Sequence, residues 1–234
     1  MIFLSPNTYD HLKSILRQND EVIEIHSLGT VYESINHHPD IFLFCGDEKI
    51  YISAEQYQCI KDHISSSLPI EVLENQLGHR YPYTVSFNGV MLGKYFIHNL
   101  NYTASAILED MKKKKKILIH VRQGYTRCSA LPIDNSSLIT SDAGIAKAVV
   151  PHGIDVCLIR PGFVSLPGQL YGFIGGTAGR VKDTIYFTGD ISKHPDYEKI
   201  KSFIYAKGLH IAYVPDRPLM DVGSILTFSQ ANKS

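Results

Sequence analysis

The chain has 234 residues, 44% of them hydrophobic, which is enough to bury a sizeable core. Its 23 lysines and arginines balance 23 aspartates and glutamates, so no global field draws it to nucleic acid, an anionic membrane or an acidic substrate. No run of about eighteen apolar residues exists, the start MIFLSPNTYD has no basic segment before an apolar stretch, and the four cysteines lack CxxC spacing. A cytoplasmic protein with free thiols is expected, with no metal centre and no cofactor.

In chain order, residues 1–4 read as a short strand, and Ser5 with Pro6 as the start of a helix striped by Leu12, Ile15 and Leu16. Residues 22–25 are the next strand. Residues 40–45 and 49–52 make a hairpin about Gly46-Asp47; Ser53 and Gln56 then have capping-box spacing before a helix, and residues 70–73 are extended. Residues 83–92 and 95–97 pair around Gly93-Lys94, followed by a helix over 103–111 and a strand over 117–121. The clearest unit spans 126–162. There, strand 128–133, the Asp134-Asn135-Ser136 turn and strand 138–140 precede a helix capped by Asp142 and stopped by Gly153, and strand 154–159 follows. Strands 170–178 and 184–188, a helix over 194–206 ending at Gly208, and strand 210–214 repeat the pattern.

Strand-strand-helix-strand therefore occurs four times, with Ser53, Asn99, Asp142 and Asp190 closing successive second strands at a period of roughly 45 residues. The chain begins with strand, helix, strand, and a lone strand at 221–228 ends it. Together these pieces complete a fifth unit. Pairing the two ends removes free edges, so the fold class expected is α/β, a five-bladed α/β propeller of ββαβ units with pseudo-fivefold symmetry, one domain over 1–234. A doubly wound sheet would give one strand per helix.

This pattern resembles the pentein superfamily, which includes agmatine deiminase, arginine deiminase, dimethylargininase and a non-enzymatic ribosome anti-association factor. More narrowly, it is similar to an uncharacterised bacterial family of that fold. YGFIGG at 171–176 and DVGSIL at 221–226 occupy the places of the enzymes' active-site strands. Laid on those strands, the enzymes' histidine falls on Phe173, its acidic partner on Gly175 and the nucleophilic cysteine on Thr227. The resemblance thus implies a channel for a small guanidino or amino-acid-like ligand without the usual cysteine hydrolysis.

The candidate ligand-binding residues are Arg127, Asp221 and Ser224; Cys128 reads first as a small buried hydrophobe and otherwise as a relocated nucleophile, with Arg122 and Arg127 placed to lower its pKa. The expected partner is a small polar molecule rather than nucleic acid or membrane; the alternatives are a hydrolase or transferase on guanidino compounds with Cys128 as nucleophile, and a protein-interaction module. Asp142 and Asp190 read as caps. His37, His38 and His194 lie beside prolines without metal-ligand spacing and read as exposed turn residues. Gly172, Gly175, Gly176 and Gly179 read as points of close backbone approach rather than a phosphate loop. The run at 112–116 reads as a solvated helix end.

Overall fold

The computed structural model describes residues 1–229. Its first elements are β1 (Ile2–Leu4), α1 (Asp10–Arg17) and β2 (Val22–Glu24). Then come α2 (Pro39–Phe42), β3 (Leu43–Cys45), β4 (Ile50–Ser53), α3 (Ala54–Ile60) and β5 (Ile70–Leu73). The third group is β6 (Val90–Leu92), β7 (Tyr95–His98), α4 (Ser105–Lys113) and β8 (Ile117–His120). The fourth is α5 (Thr126–Ser129), β9 (Ala130–Asp134), β10 (Ser137–Thr140), α6 (Ala143–Val149) and β11 (Asp155–Leu158). The last is β12 (Ala178–Val181), β13 (Thr184–Phe187), α7 (Tyr197–Tyr205), β14 (His210–Tyr213) and β15 (Leu226–Thr227).

These strands form five three-stranded sheets of mixed α/β character. In each sheet the middle strand pairs antiparallel with one neighbour and parallel with the other, and the helix makes the parallel crossover. One sheet joins the two ends of the chain: β15 pairs antiparallel with β1, which pairs parallel with β2. Among the first strands, β6 lies beside β9, β9 beside β12, and β12 beside β15.

Local chemistry accounts for the boundaries. Ser53 Oγ accepts from Gln56 N at 3.3 Å and Asp142 Oδ1 from Ile145 N at 3.0 Å, so both cap the helices that follow them. Asp190 accepts from Ser192 N and caps a 3₁₀ turn, while α7 begins later. Gly153 and Gly208 stop their helices at φ +78° and +71°. Helix faces bury as their spacing requires: Leu12 and Leu16 on α1, Ile145 and Val149 on α6, Ile200 and Ile204 on α7. Each fully buried side chain of this size contributes about 1.5–3 kcal/mol.

Several extended stretches are shorter than the sequence suggests. Residues 39–42 and 126–129 are single helical turns, 175–177 is a 3₁₀ turn, and regular pairing in the third group begins only at Val90. The terminal strand is confined to Leu226–Thr227, and α1 starts at Asp10 rather than at Ser5. The cause is common to all the shortened first strands. The chain turns through a buried loop before entering the sheet, and the apolar residues of that loop, such as Ile41, Phe42, Phe87 and Ile174, are as buried as strand residues and imitate a continuing strand. Those turns carry the polar residues of the site.

Candidate functional site

Four turns that precede first strands converge on one buried polar cluster. The α2 turn brings His38 and Asp40, the loop before β6 brings Asn88, α5 brings Arg127 and Cys128, and the loop before β15 brings Asp221 and Ser224. All seven are buried.

Asn88 ties three of the segments together. Its Oδ1 accepts from the main-chain N–H of Arg127 at 2.8 Å and of Cys128 at 3.2 Å. Its Nδ2 donates to Asp40 O at 3.0 Å and contacts Cys128 Sγ at 3.3 Å. The sequence places Asn88 inside the strand expected over 83–92, whereas it lies in the loop before β6, and only its saturated hydrogen bonding reveals its place.

Asp40 Oδ2 accepts from Ser224 Oγ at 2.5 Å and from Cys128 Sγ at 3.1 Å. Gly175 O lies 3.1 Å from the same Ser224 Oγ, so the single hydroxyl proton is shared between the two acceptors. It sits at φ +74°, directly after Gly223 at φ +76°, an unusual backbone for a side-chain-bearing residue. Gly223 is required for space as well, since a Cβ there would lie 2.2 Å from His38 Cβ.

Asp221 is fixed through Oδ2, which accepts from Phe173 N at 2.9 Å, and Oδ1, which accepts from Gly223 N at 3.1 Å. A Cβ on Gly176 would sit 1.9 Å from Asp221 Oδ1, and one on Gly172 would sit 2.5 Å from Asp221 Cβ. One on Gly175 would meet Arg127 O at 2.2 Å. These glycines let the GFIGG backbone lie against Asp221 and α5.

Burial dominates the electrostatics. It pushes the Asp221 carboxyl up to about 6, against its two main-chain donors and the Arg127 charge. It raises Asp40 as well, opposed by His38. His38 is pushed down to about 4 despite the pull of Asp40, and His37 also to about 4. Neither His38 nitrogen meets hydrogen-bond geometry with another protein atom; Asp221 Oδ1 is 3.7 Å from Nδ1, and the Asp221 main chain also approaches the ring.

Cys128 lies on a helical turn rather than on the strand expected for it, and its thiol is raised well above the usual range. Burial is the main cause, and Asp40 and Asp221 add to it. The expectation that neighbouring arginines lower it is overturned, because the carboxylates lie closer in effect and Arg122 is exposed. The Arg127 guanidinium points to the main chain, donating to Gly175 O at 2.9 Å and Ala178 O at 3.1 Å. It thereby clips α5 to the start of β12. His38 and His194 are buried rather than exposed, and His37 is half-buried.

Two cavities reach the cluster. One, of about 170 Å³, has Cys128, His38 and Asp221 among its lining residues and is walled by Tyr32, Tyr125, Tyr171 and Phe173. Tyr32 and Tyr125 share a hydroxyl contact at 2.8 Å, and Tyr125 continues to Thr84 at 2.6 Å. The segment 160–173 crosses this cavity and contributes Leu166, Gln169 and Tyr171; it is secured by the Ser165–Met220 bridge and by Gln169 on Ser34. The other cavity, of about 230 Å³, is lined by Asp40, Arg127, Arg180 and Thr227 among apolar side chains. Asp221 and Cys128 thus face the aromatic cavity and Arg127 the second one, while Ser224 bonds within the cluster. Phe173, expected from the resemblance at the enzymes' histidine position, is an aromatic wall; Thr227 lines the other cavity.

No helix among the described residues is long and apolar enough to cross a membrane. Several solved structures share the fold, among them two enzyme adducts. A dimethylarginine dimethylaminohydrolase variant, as its adduct with S-methyl-L-thiocitrulline, is 10% identical, with 90% of this chain and 81% of that one covered at a TM-score of 0.57. A dimethylarginine dimethylaminohydrolase adduct with 4-chloro-2-hydroxymethylpyridine is also 10% identical, with 92% and 91% covered at a TM-score of 0.55. Comparison with curated proteins gives no match. The model of a family of unknown function, DUF6873, matches residues 3–226, and the chain belongs to that family.

Proposed function

We propose that the chain is a single-domain, five-bladed pentein-like propeller that binds a small organic cation, of guanidinium or amidinium type, in the aromatic cavity above Asp221. The observation that carries this reading is the composition of that cavity: four aromatic rings around a floor with the Asp221 carboxylate. Aromatic faces attract a cation, and a partly desolvated carboxylate supplies its counter-charge. The enzymes that share the fold are named for a methylated arginine, which supports the same ligand class. Five sheets of one topology, with the chain ends paired, support the propeller.

Binding without turnover follows from Cys128, whose thiol is neutral and donates to Asp40 in the ligand-free protein. A second reading, an amidino hydrolase or transferase, draws on one observation: ligand atoms of Cys128, His38 and Asp40 all lie within 4.8 Å of one another. A bound cation opposes both the burial that chiefly holds the thiol protonated and the two carboxylates that add to it, and a thiolate so formed would be the nucleophile for an amidino carbon. The test is thermal shift and calorimetry with arginine, agmatine, citrulline and methylated arginines. A cationic ligand raises the midpoint by mass action, citrulline does so far less, and Asp221→Asn abolishes the difference. Absence of any shift, or equal shifts in wild type and Asp221→Asn, refutes the binding reading. Product analysis with the best ligand decides between binding and turnover.

A further inference from the structure

Beneath the aromatic cavity, three side chains from two turns point at one another: His38 and Asp40 from the α2 turn and Cys128 from α5. Each offers one potential metal ligand, and the three ligand atoms lie within 4.8 Å of one another. A second observation is independent of that clustering. Oδ1 of Asp40 is buried without a hydrogen-bond partner, and the buried His38 ring has only loose approaches, from Asp221 Oδ1 at 3.7 Å and from the Asp221 main chain. Buried polar atoms are nearly always well paired, and an orphaned carboxylate oxygen beside a loosely held imidazole in the same cluster points to a missing electrophile.

We propose that His38, Asp40 and Cys128 form a binding site for a zinc-class divalent ion, with the fourth position open to the cavity. Imidazole, carboxylate and thiolate together are a donor set that suits zinc better than calcium or magnesium, which prefer oxygen alone. Zinc–ligand bonds of about 2.0–2.3 Å put tetrahedral neighbours roughly 3.5 Å apart. Cys128 Sγ and Asp40 Oδ2 are already 3.1 Å apart, and the widest separation has to close by about 1 Å. Asp221 Oδ1, 3.7 Å from His38 Nδ1, is placed to orient the ring from outside the ligand set. Binding converts the Cys128 thiol to a metal thiolate and releases its proton to solvent; no electron transfer is involved. The metal takes the floor of the site and leaves the aromatic walls in place. Asp221 serves both this site and the organic-cation reading, so Cys128→Ser, which removes a metal ligand and keeps the Asp221 carboxylate, is the variant that separates them.

The experiment loads the metal-free full chain with cobalt(II) as a zinc surrogate. Expected are one equivalent bound, a thiolate-to-cobalt charge-transfer band, and intense ligand-field absorption of a tetrahedral ion. Cys128→Ser removes the charge-transfer band, and His38→Gln and Asp40→Asn weaken zinc binding at least tenfold in competition with a chromophoric chelator. Cys45→Ser and Cys59→Ser leave both signals unchanged. A wild type without the band, or a band that survives Cys128→Ser and disappears in either other variant, overturns the site. Because buried substitutions can fail to fold, zinc-edge X-ray absorption on wild type provides the second measurement. One sulfur with nitrogen and oxygen neighbours supports the assignment; no sulfur, or two or more, overturns it.

Discussion

The close approach of Gly176 to Asp221 gives a prediction whose magnitude follows from the geometry. Gly176→Ala would place a Cβ 1.9 Å from Asp221 Oδ1 and 2.4 Å from its Cγ. The carboxylate cannot swing aside cheaply, because it is buried and accepts from Phe173 N and Gly223 N. Displacing it forfeits two hydrogen bonds to a charged acceptor, about 1.5–3 kcal/mol each, so a loss of roughly 3 kcal/mol or more is expected. Asp221→Ala removes Cγ and both oxygens, at a cost of about 1–3 kcal/mol for each N–H left unpaired. The two losses share the same hydrogen bonds. The double variant should therefore be less destabilised than the sum of the singles, by about 2 kcal/mol. Gly172→Ala supplies the contrast, since its Cβ meets Asp221 Cβ at 2.5 Å and Val164 Cγ1 at 3.0 Å, atoms that Asp221→Ala leaves in place. Urea unfolding of the wild type, the three single variants and the two doubles measures all the terms. Additivity at Gly176 and Asp221 to within about 0.5 kcal/mol, or equal relief of both glycine variants, would refute the reasoning.

Stability should fall with acid through His98. This residue is buried, contacts Thr103 Oγ1 and Gly124 O, and is pushed by burial from the ordinary 6.5 to about 4. Below pH 6.5 the unfolded chain takes up a proton that the folded one refuses until about pH 4, so about 3 kcal/mol is lost across that window and no more below it. His98→Asn should make the fall of the urea midpoint between those pH values shallower, with His37, His38 and Asp221 setting what remains, and an unchanged slope would count against the assignment. Arg127→Ala strips the donors from two main-chain carbonyls and should cost about 2–4 kcal/mol, with Arg127→Lys recovering part; a urea midpoint unchanged in Arg127→Ala would show the clip to be unimportant. Iodoacetamide should modify Cys128 in the ligand-free native protein more slowly than half-buried Cys59, and all four thiols alike in denaturant, as read by peptide mass spectrometry. Preferential labelling of Cys128 would mean that its thiol is neither buried nor raised.

The α/β repeat, its five three-stranded sheets and the cutting of one sheet between the chain's two ends were legible in the sequence. Each depends on signals that act over a few residues: caps at Ser53 and Asp142, stops at Gly153 and Gly208, and apolar periodicity that distinguishes helix from strand. The resemblance to penteins pointed to the DVGS and GFIGG segments, and both do border the buried cluster. What local signals could not supply was the convergence. His38 and Asp40 reach Cys128, Asp221 and Ser224 across 88 and 184 positions of sequence in the cases of Cys128 and Ser224, through turns whose apolar neighbours imitate strands. Asn88 looked like part of a strand and His38 like a surface residue, because neither hydrogen-bond saturation nor depth is written in a side chain's neighbours along the chain. The thiol of Cys128 shows the same limit. Nearby arginines in sequence suggested a lowered pKa, whereas burial and the carboxylates of distant segments raise it. Backbone preference and periodicity are local properties and determine the elements; desolvation and the meeting of charges depend on three-dimensional proximity, and only the folded chain decides them.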